Sequence, residues 1–130
     1  MSSPPRVLVA DDHHMILDLL VSHLESAGYE VLTENSPERV LETVIRERPQ
    51  LAVLDAQMPP RERFFALREV ATLKPPERPA VIVLSGHDDP AICQLALSLG
   101  ADGFLVKPWD REELCSMSEQ LMGRAETPAD

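Results

Sequence analysis

The chain has few basic residues and no long hydrophobic run, and each shortage excludes a class of protein. It has 12 Lys and Arg against 22 Asp and Glu, a formal net charge of −10. Because binding to nucleic-acid phosphates needs clustered Lys and Arg, we expect no direct nucleic-acid binding. No apolar run approaches the roughly 20 residues of a membrane-spanning helix, and residues 1–5 lack the basic and apolar parts of a signal peptide. We therefore expect a cytoplasmic protein without membrane contact.

Cysteine is also scarce. Cys93 and Cys115 are the two cysteines, and neither has a Cys or His neighbour at the spacing of a zinc site. Both lie in segments with helical periodicity, so we expect small, buried or half-buried apolar residues and no disulfide. The length of 130 residues and the hydrophobic content of 44% are typical of one globular domain.

Five short aliphatic runs are predicted to be strands. They cover residues 6–10, 30–33, 51–54, 80–84 and 103–106. The first, third and fourth are apolar almost throughout, as expected of strands that are buried on both faces of a parallel sheet. The second is mixed, which is typical of an edge strand.

Helical periodicity fills the segments between these runs. Gly28 and Gly100 are predicted to end the first and fourth helices, while Ser36-Pro37, Asp89-Pro90 and Asp110 are predicted to begin the second, fourth and fifth. The predicted apolar faces, in chain order, are Ile16, Leu20, Leu24 and Ala27; Val40, Leu41, Val44 and Ile45; Phe64, Leu67 and Ala71; Ile92, Ala96 and Leu99; and Leu114, Met117 and Leu121.

Alternation of strand and helix predicts an α/β fold with a doubly wound, five-stranded parallel sheet and helices on both faces. Two arrangements fit: a flavodoxin-like (βα)5 sheet in the order 2-1-3-4-5, or part of a Rossmann sheet. No glycine follows the first strand, where the sequence is Asp11-Asp12-His13-His14, and this argues against a dinucleotide-binding turn. We expect the flavodoxin-like order over residues 1–122, with residues 123–130 as a flexible tail or the start of a linker.

Polar side chains follow the strand ends, where open α/β sheets bind ligands. Asp11 and Asp12 follow the first strand, Asp55 the third, Ser85 the fourth and Lys107 the fifth. In the order 2-1-3-4-5 three carboxylates would converge, and their mutual repulsion implies either that one stays protonated or that a cation lies among them. Mg²⁺ (or Mn²⁺) prefers such oxygen ligands.

Asp55 is the candidate nucleophile, because a carboxylate can form an aspartyl phosphate. Lys107 would pair with a phosphoryl oxygen, and the Ser85 hydroxyl would donate a hydrogen bond to another. Each residue alone has an ordinary structural explanation, such as an Asx turn for a strand-end Asp. Their combination in the right strand order indicates phosphoryl transfer.

These motifs resemble the receiver domain of two-component response regulators from residue 6 to about residue 122. Asp11-Asp12 resembles the family's metal-binding pair, Asp55-Ala56-Gln57-Met58-Pro59 its D-x-x-M-P segment, and Ser85-Gly86 its Ser or Thr followed by a small residue. The segment that starts at Gly100-Ala101 and ends at Lys107-Pro108 resembles G-A-x-x-[YF]-x-x-K-P.

The resemblance implies a signalling domain, not an enzyme with a separate substrate, that catalyses its own phosphorylation and dephosphorylation at Asp55. It implies a phosphoryl donor, either a sensor histidine kinase or a phosphotransfer protein, and a downstream protein or a fused output domain. It implies direct metal ligands from Asp12, Asp55 and the backbone carbonyl of Gln57, with Asp11 acting through water. Ser85 and Phe104 would be the switch residues. A homodimer is left open.

The chain also departs from the family pattern. Pro60-Arg61-Glu62-Arg63 replaces the usual glycine-containing loop, which affects partner fit and loop motion. Gln57 and His87 occupy positions that tune phosphoryl lifetime in the family. His13 is expected near enough to the acidic pair to perturb it, but not to share a site with His14, because adjacent helical residues point apart.

Two alternatives are open. One is a pseudo-receiver that acts only as a protein-interaction module, although such members typically lose the phosphoacceptor Asp or the Lys. The other is a Mg²⁺-dependent phosphohydrolase, although the D-x-D motif typical of these enzymes is absent after the first strand.

Overall fold

The computed structural model describes the backbone of residues 3–126 and the side chains of residues 3–123, and within them strands alternate with helices. The strands are β1 (Arg6–Ala10), β2 (Glu30–Glu34), β3 (Leu51–Asp55), β4 (Ala80–Ser85) and β5 (Gly103–Val106). The helices are α1 (His14–Ser26), α2 (Val40–Glu47), α3 (Phe65–Val70), α4 (Pro90–Ser98) and α5 (Arg111–Glu126), and a 3₁₀ turn at Pro37–Arg39 precedes α2.

The five strands form one parallel sheet in the order β2-β1-β3-β4-β5, so the predicted flavodoxin-like topology is confirmed. Val9 pairs with Val53 and Ala10 with Leu54, which brings the carboxyl ends of β1 and β3 side by side. β1 and β5 have the predicted bounds, and the other strands extend one residue further, to Glu34, Asp55 and Ser85.

Two apolar layers cover the faces of the sheet. Because side chains alternate along a strand, Val7 and Val9 of β1 pack in the layer that contains Leu20 of α1 and Leu114 of α5. Leu8 and Ala10 face the opposite layer, with residues of α2, α3 and α4. Burial of each Leu or Val contributes about 1.5–3 kcal/mol, so these layers hold the strand ends in fixed register.

The helix boundaries confirm some predicted signals and correct others. Gly28, at φ +98°, is the second residue after the end of α1, and Asp89 accepts a hydrogen bond from the Ala91 N–H at 2.9 Å at the start of α4. The assignment of Ala27 to the apolar face of α1 is wrong, since the residue follows the helix and is exposed. The assignment of Ile45 to the buried face of α2 is also wrong, because its side chain is 52% exposed.

The second helix starts differently from the prediction. Ser36-Pro37 opens the 3₁₀ turn, and α2 begins only at Val40. The Ser36 hydroxyl donates to Glu38 Oε1 at 3.0 Å and caps no backbone N–H. Pro37 at the first position of a turn is well tolerated because its missing N–H would have no partner there, but it did not fix which kind of helix follows.

The third helix is shorter than its apolar pattern predicts. Phe64 precedes it with φ 66°, a left-handed conformation that few residues with a side chain adopt, and Ala71 follows its end. Burial of the Phe64 ring, which is 2% exposed, offsets this conformational cost.

The C-terminal helix is longer than the sequence predicts. α5 continues past the predicted boundary at residue 122 to Glu126, and residues 127–130 lie outside the described part, so the division into domain and tail stays a prediction.

Cys93 and Cys115 are free thiols of intermediate burial, as expected. No helix among the described residues is long and apolar enough to cross a membrane.

Candidate functional site

A cleft of about 430 Å³ lies at the carboxyl ends of the strands. It is lined by Asp12, His13, Asp55, Ala56, Gln57, Pro59, Arg63, Ser85, Gly86, His87 and Lys107. The predicted residues of four different strand ends therefore meet in one place, because the parallel sheet brings all its carboxyl ends to the same edge.

Asp11 lies at the base of this site and is fully buried. Its Oδ2 accepts a hydrogen bond from Lys107 Nζ at 2.8 Å, and its Oδ1 accepts one from the His13 N–H at 2.8 Å. A buried carboxylate needs such partners, since an unpaired buried charge is costly.

Asp55, the last residue of β3, is 7% exposed. Its Oδ1 accepts a hydrogen bond from the Gln57 N–H at 3.2 Å and lies 3.3 Å from Lys107 Nζ. Burial, followed by the negative charge of Asp11, raises the pKa of Asp55 to about 6, although Lys107 and the Gln57 N–H act in the opposite direction. The carboxyl group thus carries an electrostatic cost that a cation would relieve.

Lys107 is held from two sides. Its backbone N–H donates to the Ser85 carbonyl at 2.7 Å, and its ammonium group contacts Asp11 and Asp55. Burial acts to lower the pKa of Lys107, but the hydrogen bond to Asp11 and the two carboxylate charges outweigh it, so the pKa lies above its ordinary value. Lys107 is therefore a fixed positive charge.

Asp11, Asp12, His13 and Asp55 can each offer one ligand atom to a common metal, and these atoms lie within 4.8 Å of one another. Three carboxylates against one ammonium leave an excess of negative charge, and carboxylate oxygens suit a hard divalent cation. The donor set therefore fits Mg²⁺.

The two neighbouring histidines contact different carboxylates and share no site, as predicted. His13 Nδ1 lies 3.3 Å from Asp11 Oδ1 and 3.2 Å from Asp12 Oδ1, with a largely exposed ring. His14 instead pairs with Asp18 along α1, at 3.3 Å.

Of the two predicted switch residues, Ser85 lines the cleft and Phe104 does not. Ser85 is buried and lines the cleft, and its Oγ accepts a hydrogen bond from the His87 N–H at 3.0 Å. The hydroxyl hydrogen is left for another acceptor. Phe104 pairs with Val83 across β4 and β5 and is partly buried against the core, outside the cleft lining.

Residues 7–119 match the family model of the response regulator receiver domain. The chain belongs to this family. The receiver domain spans about half the length of the curated relatives that it matches. It is 31% identical over 127 residues to the alkaline phosphatase synthesis transcriptional regulatory protein PhoP of Bacillus subtilis (strain 168), covering 95% of this chain and 51% of that protein. It is 35% identical over 123 residues to the probable transcriptional regulator ycf27 of Cyanophora paradoxa, covering 95% and 50%.

A solved structure shares the fold at low sequence identity. The receiver domain of the sensor histidine kinase PA1611 from Pseudomonas aeruginosa PAO1 superimposes with a TM-score of 0.83 at 22% identity, covering 92% of this chain and 98% of that chain. That protein was crystallised with a magnesium ion coordinated in its active-site cleft.

The cleft of this receiver domain also contains Arg63, which lies in the loop after β3 and for which the sequence predicted no role. Pro59 and Gly86, which belong to the motifs described above, line the cleft as well. The only available sequence signal for Arg63 was its place in the loop that departs from the family pattern. Which of the two loop arginines faces the cleft depends on the path of the backbone.

Proposed function

We propose that this receiver domain accepts a phosphoryl group on Asp55 from a phosphohistidine donor, either a sensor histidine kinase or a phosphotransfer protein, in a Mg²⁺-dependent reaction. The observation that carries the proposal is the convergence of Asp11, Asp55 and Lys107, with Lys107 Nζ 2.8 Å from Asp11 and 3.3 Å from Asp55. Such an acid-and-lysine cluster supplies a nucleophile and a countercharge at one point.

We propose Asp12, Asp55 and the backbone carbonyl of Gln57 as direct ligands of Mg²⁺ (or Mn²⁺), with Asp11 acting through water. The close approach of the acidic ligand atoms supports this assignment. When bound, the cation neutralises charge on the phosphoryl oxygens. The PA1611 receiver domain holds a magnesium ion in its active-site cleft, but at 22% identity the likeness shows only that the two chains share a fold.

The chain's own residues supply the remaining chemistry. A carboxylate oxygen of Asp55 forms a bond to phosphorus, while the bond from phosphorus to the donor nitrogen breaks and the imidazole leaves with the electron pair. Lys107 holds its positive charge beside the reacting carboxylate, since its pKa is raised. The Ser85 hydroxyl, whose oxygen is fixed by the His87 N–H, donates its hydrogen to a phosphoryl oxygen.

We propose that phosphorylation is transmitted through Ser85 and Phe104. Ser85 ends β4, and Phe104 lies on β5 opposite Val83, two residues before Ser85. A shift of Ser85 toward the phosphoryl group would therefore act on the packing around Phe104, and new charge contacts would shift the population of a two-state element. Because the curated relatives are about twice as long and are transcriptional regulators, a fused output domain or a separate downstream protein would read this change.

Phosphorylation by acetyl phosphate with Mg²⁺, followed by intact mass, tests the proposal. We expect one added phosphoryl group on the wild type and none on Asp55→Asn, and we expect the labelling to disappear with EDTA. An unlabelled wild type, or an equally labelled Asp55→Asn variant, contradicts the proposal. Absence of both labelling and Mg²⁺ binding would instead support a pseudo-receiver, and turnover of a phosphomonoester would support a phosphohydrolase.

A further inference from the structure

The loop between β3 and α3 is anchored close to Asp55. The N–H of Phe64 donates to the Ala56 carbonyl at 2.8 Å, and the N–H of Ala56 donates to the Leu84 carbonyl at 2.7 Å. Phe64 is also buried, 2% exposed. The backbone of Arg63, directly before Phe64, is therefore held beside the segment that follows the candidate phosphoacceptor.

The two arginines of this loop have different surroundings. Arg61 Nε lies 2.9 Å from Glu38 Oε2, its guanidinium carbon lies 4.9 Å from the ring centroid of Phe65, and it does not line the cleft. Arg63 is half-buried and lines the cleft. It forms no salt bridge with any residue that the structure describes.

An anionic phosphoryl donor is repelled by the carboxylates of the cleft. The positive charge of Arg63 would offset part of this repulsion. Lys107, the other Lys or Arg among the lining residues described, is already paired with Asp11 and Asp55. Arg63 has no such partner among the described residues. A guanidinium group is always charged and presents a planar set of donors that can bind two phosphate oxygens at once.

We propose that Arg63 binds the phosphoryl group of the incoming donor and determines the affinity of this domain for anionic donors; this inference rests on the proposed function. With acetyl phosphate, an Asp55 oxygen forms a bond to phosphorus as the bond from phosphorus to the acetyl oxygen breaks, and acetate leaves with the electron pair. Arg63 holds the phosphoryl oxygens before this step. It therefore acts on the donor concentration needed for half-maximal rate more than on the rate at saturation.

The test is the phosphorylation rate of the full chain as a function of acetyl phosphate concentration, with Mg²⁺ in excess. We expect Arg63→Gln to raise the half-saturating concentration about tenfold, the size of one lost charged hydrogen bond, with little change in the saturating rate. Arg63→Lys, which keeps the charge but not the planar set of donors, is expected to have a half-saturating concentration between those of the wild type and Arg63→Gln. Arg61→Gln is the matched control and is expected to behave as the wild type.

Salt dependence gives a second readout that a structural role would not change. The ratio of the half-saturating concentration of Arg63→Gln to that of the wild type is expected to shrink as the ionic strength rises, because salt screens the attraction that only the wild type has. Arg63→Met, which keeps the apolar stem, replaces the Gln variant if circular dichroism finds the latter unfolded.

The outcomes separate the two proposals. A labelled wild type together with an unchanged half-saturating concentration in Arg63→Gln overturns the role of Arg63 alone. An equal effect of Arg61→Gln, or a loss confined to the saturating rate, also overturns it. A wild type that stays unlabelled contradicts the proposed function, and the inference fails with it.

Discussion

Lys107 Nζ lies 2.8 Å from the Oδ2 of Asp11, and this contact joins the residue after β5 to the residue after β1. β3 and β4 lie between these strands in the sheet. The lysine thus bridges the site in the absence of any phosphoryl group and compensates a carboxylate that is fully buried. The same side chain serves the stability of the fold and the proposed chemistry.

Replacement of Lys107 by Met is expected to destabilise the fold. The buried carboxylates of Asp11 and Asp55 would lose their cation, and removal of one partner of a buried pair costs about 3 kcal/mol. Urea unfolding at neutral pH measures this loss, which should shrink at acidic pH as a carboxyl group takes up a proton. The control is Lys74→Met at an exposed position. Equal stability of the two variants would show that the pairing contributes nothing.

Asp55→Asn is expected to stabilise the metal-free protein near neutral pH. Burial and the charge of Asp11 raise the pKa of Asp55 from 3.8 to about 6. Between these values the folded protein binds more protons at Asp55 than the unfolded chain does, so the free energy of unfolding falls as the pH rises through this window.

Urea titrations of the wild type and of Asp55→Asn in EDTA, from about pH 4 to pH 7, measure the difference. The asparagine variant should lack this part of the pH dependence, and its advantage should grow with pH. A constant difference across the range would mean that Asp55 titrates normally in the folded protein.

The fold was predictable from sequence because the strands of a parallel sheet are apolar on both faces. Val7 to Ala10 and Val81 to Leu84 are fully buried, and these runs marked β1 and β4 without reference to any partner. Ile45 and Ala27 were misplaced because periodicity alone does not tell which apolar residues of a helix lie against the sheet. The left-handed conformation of Phe64 was not predictable, since burial of its ring depends on the whole core.

Mg²⁺ is expected to raise the thermal unfolding temperature of the wild type, because a ligand that binds the folded state alone stabilises it by mass action. Asp12→Asn should reduce this response, since Asp12 belongs to the acidic group whose ligand atoms lie within 4.8 Å of one another. Asp18→Asn is the matched control, an exposed acidic residue of α1 outside that group. Equal Mg²⁺ responses of the two variants would place the binding elsewhere on this acidic chain.

The residues of the candidate site were predictable, but their hydrogen bonds were not. Asp11, Asp55, Ser85 and Lys107 follow from the rule that ligands bind at the carboxyl ends of parallel strands. The pairing of Lys107 with Asp11 and the acceptance of the His87 N–H by Ser85 depend on side-chain positions that only the folded protein defines. Arg63 was missed for the same reason.

His23 and Trp109 are expected to make the stability and fluorescence of the protein depend on pH. Trp109 Nε1 donates to His23 Nδ1 at 3.1 Å, so the imidazole must be neutral at that nitrogen. Burial, followed by the positive charge of Arg111, lowers the pKa of His23 below 6.5. Of the other described groups in contact with His23, Cys115 donates its thiol hydrogen to the His23 backbone carbonyl and leaves the ring untouched.

The unfolded chain binds a proton at His23 more tightly than the folded protein does. The free energy of unfolding should therefore fall as the pH drops below 6.5, and protonation of Nδ1 should break the hydrogen bond to Trp109. Because Trp109 is the chain's only tryptophan, its fluorescence between about pH 5 and pH 7 reports this event. His23→Gln should abolish the change, whereas His14→Gln, at an exposed histidine that pairs with Asp18, should preserve it. A fluorescence titration that survives in His23→Gln would assign the change to another group.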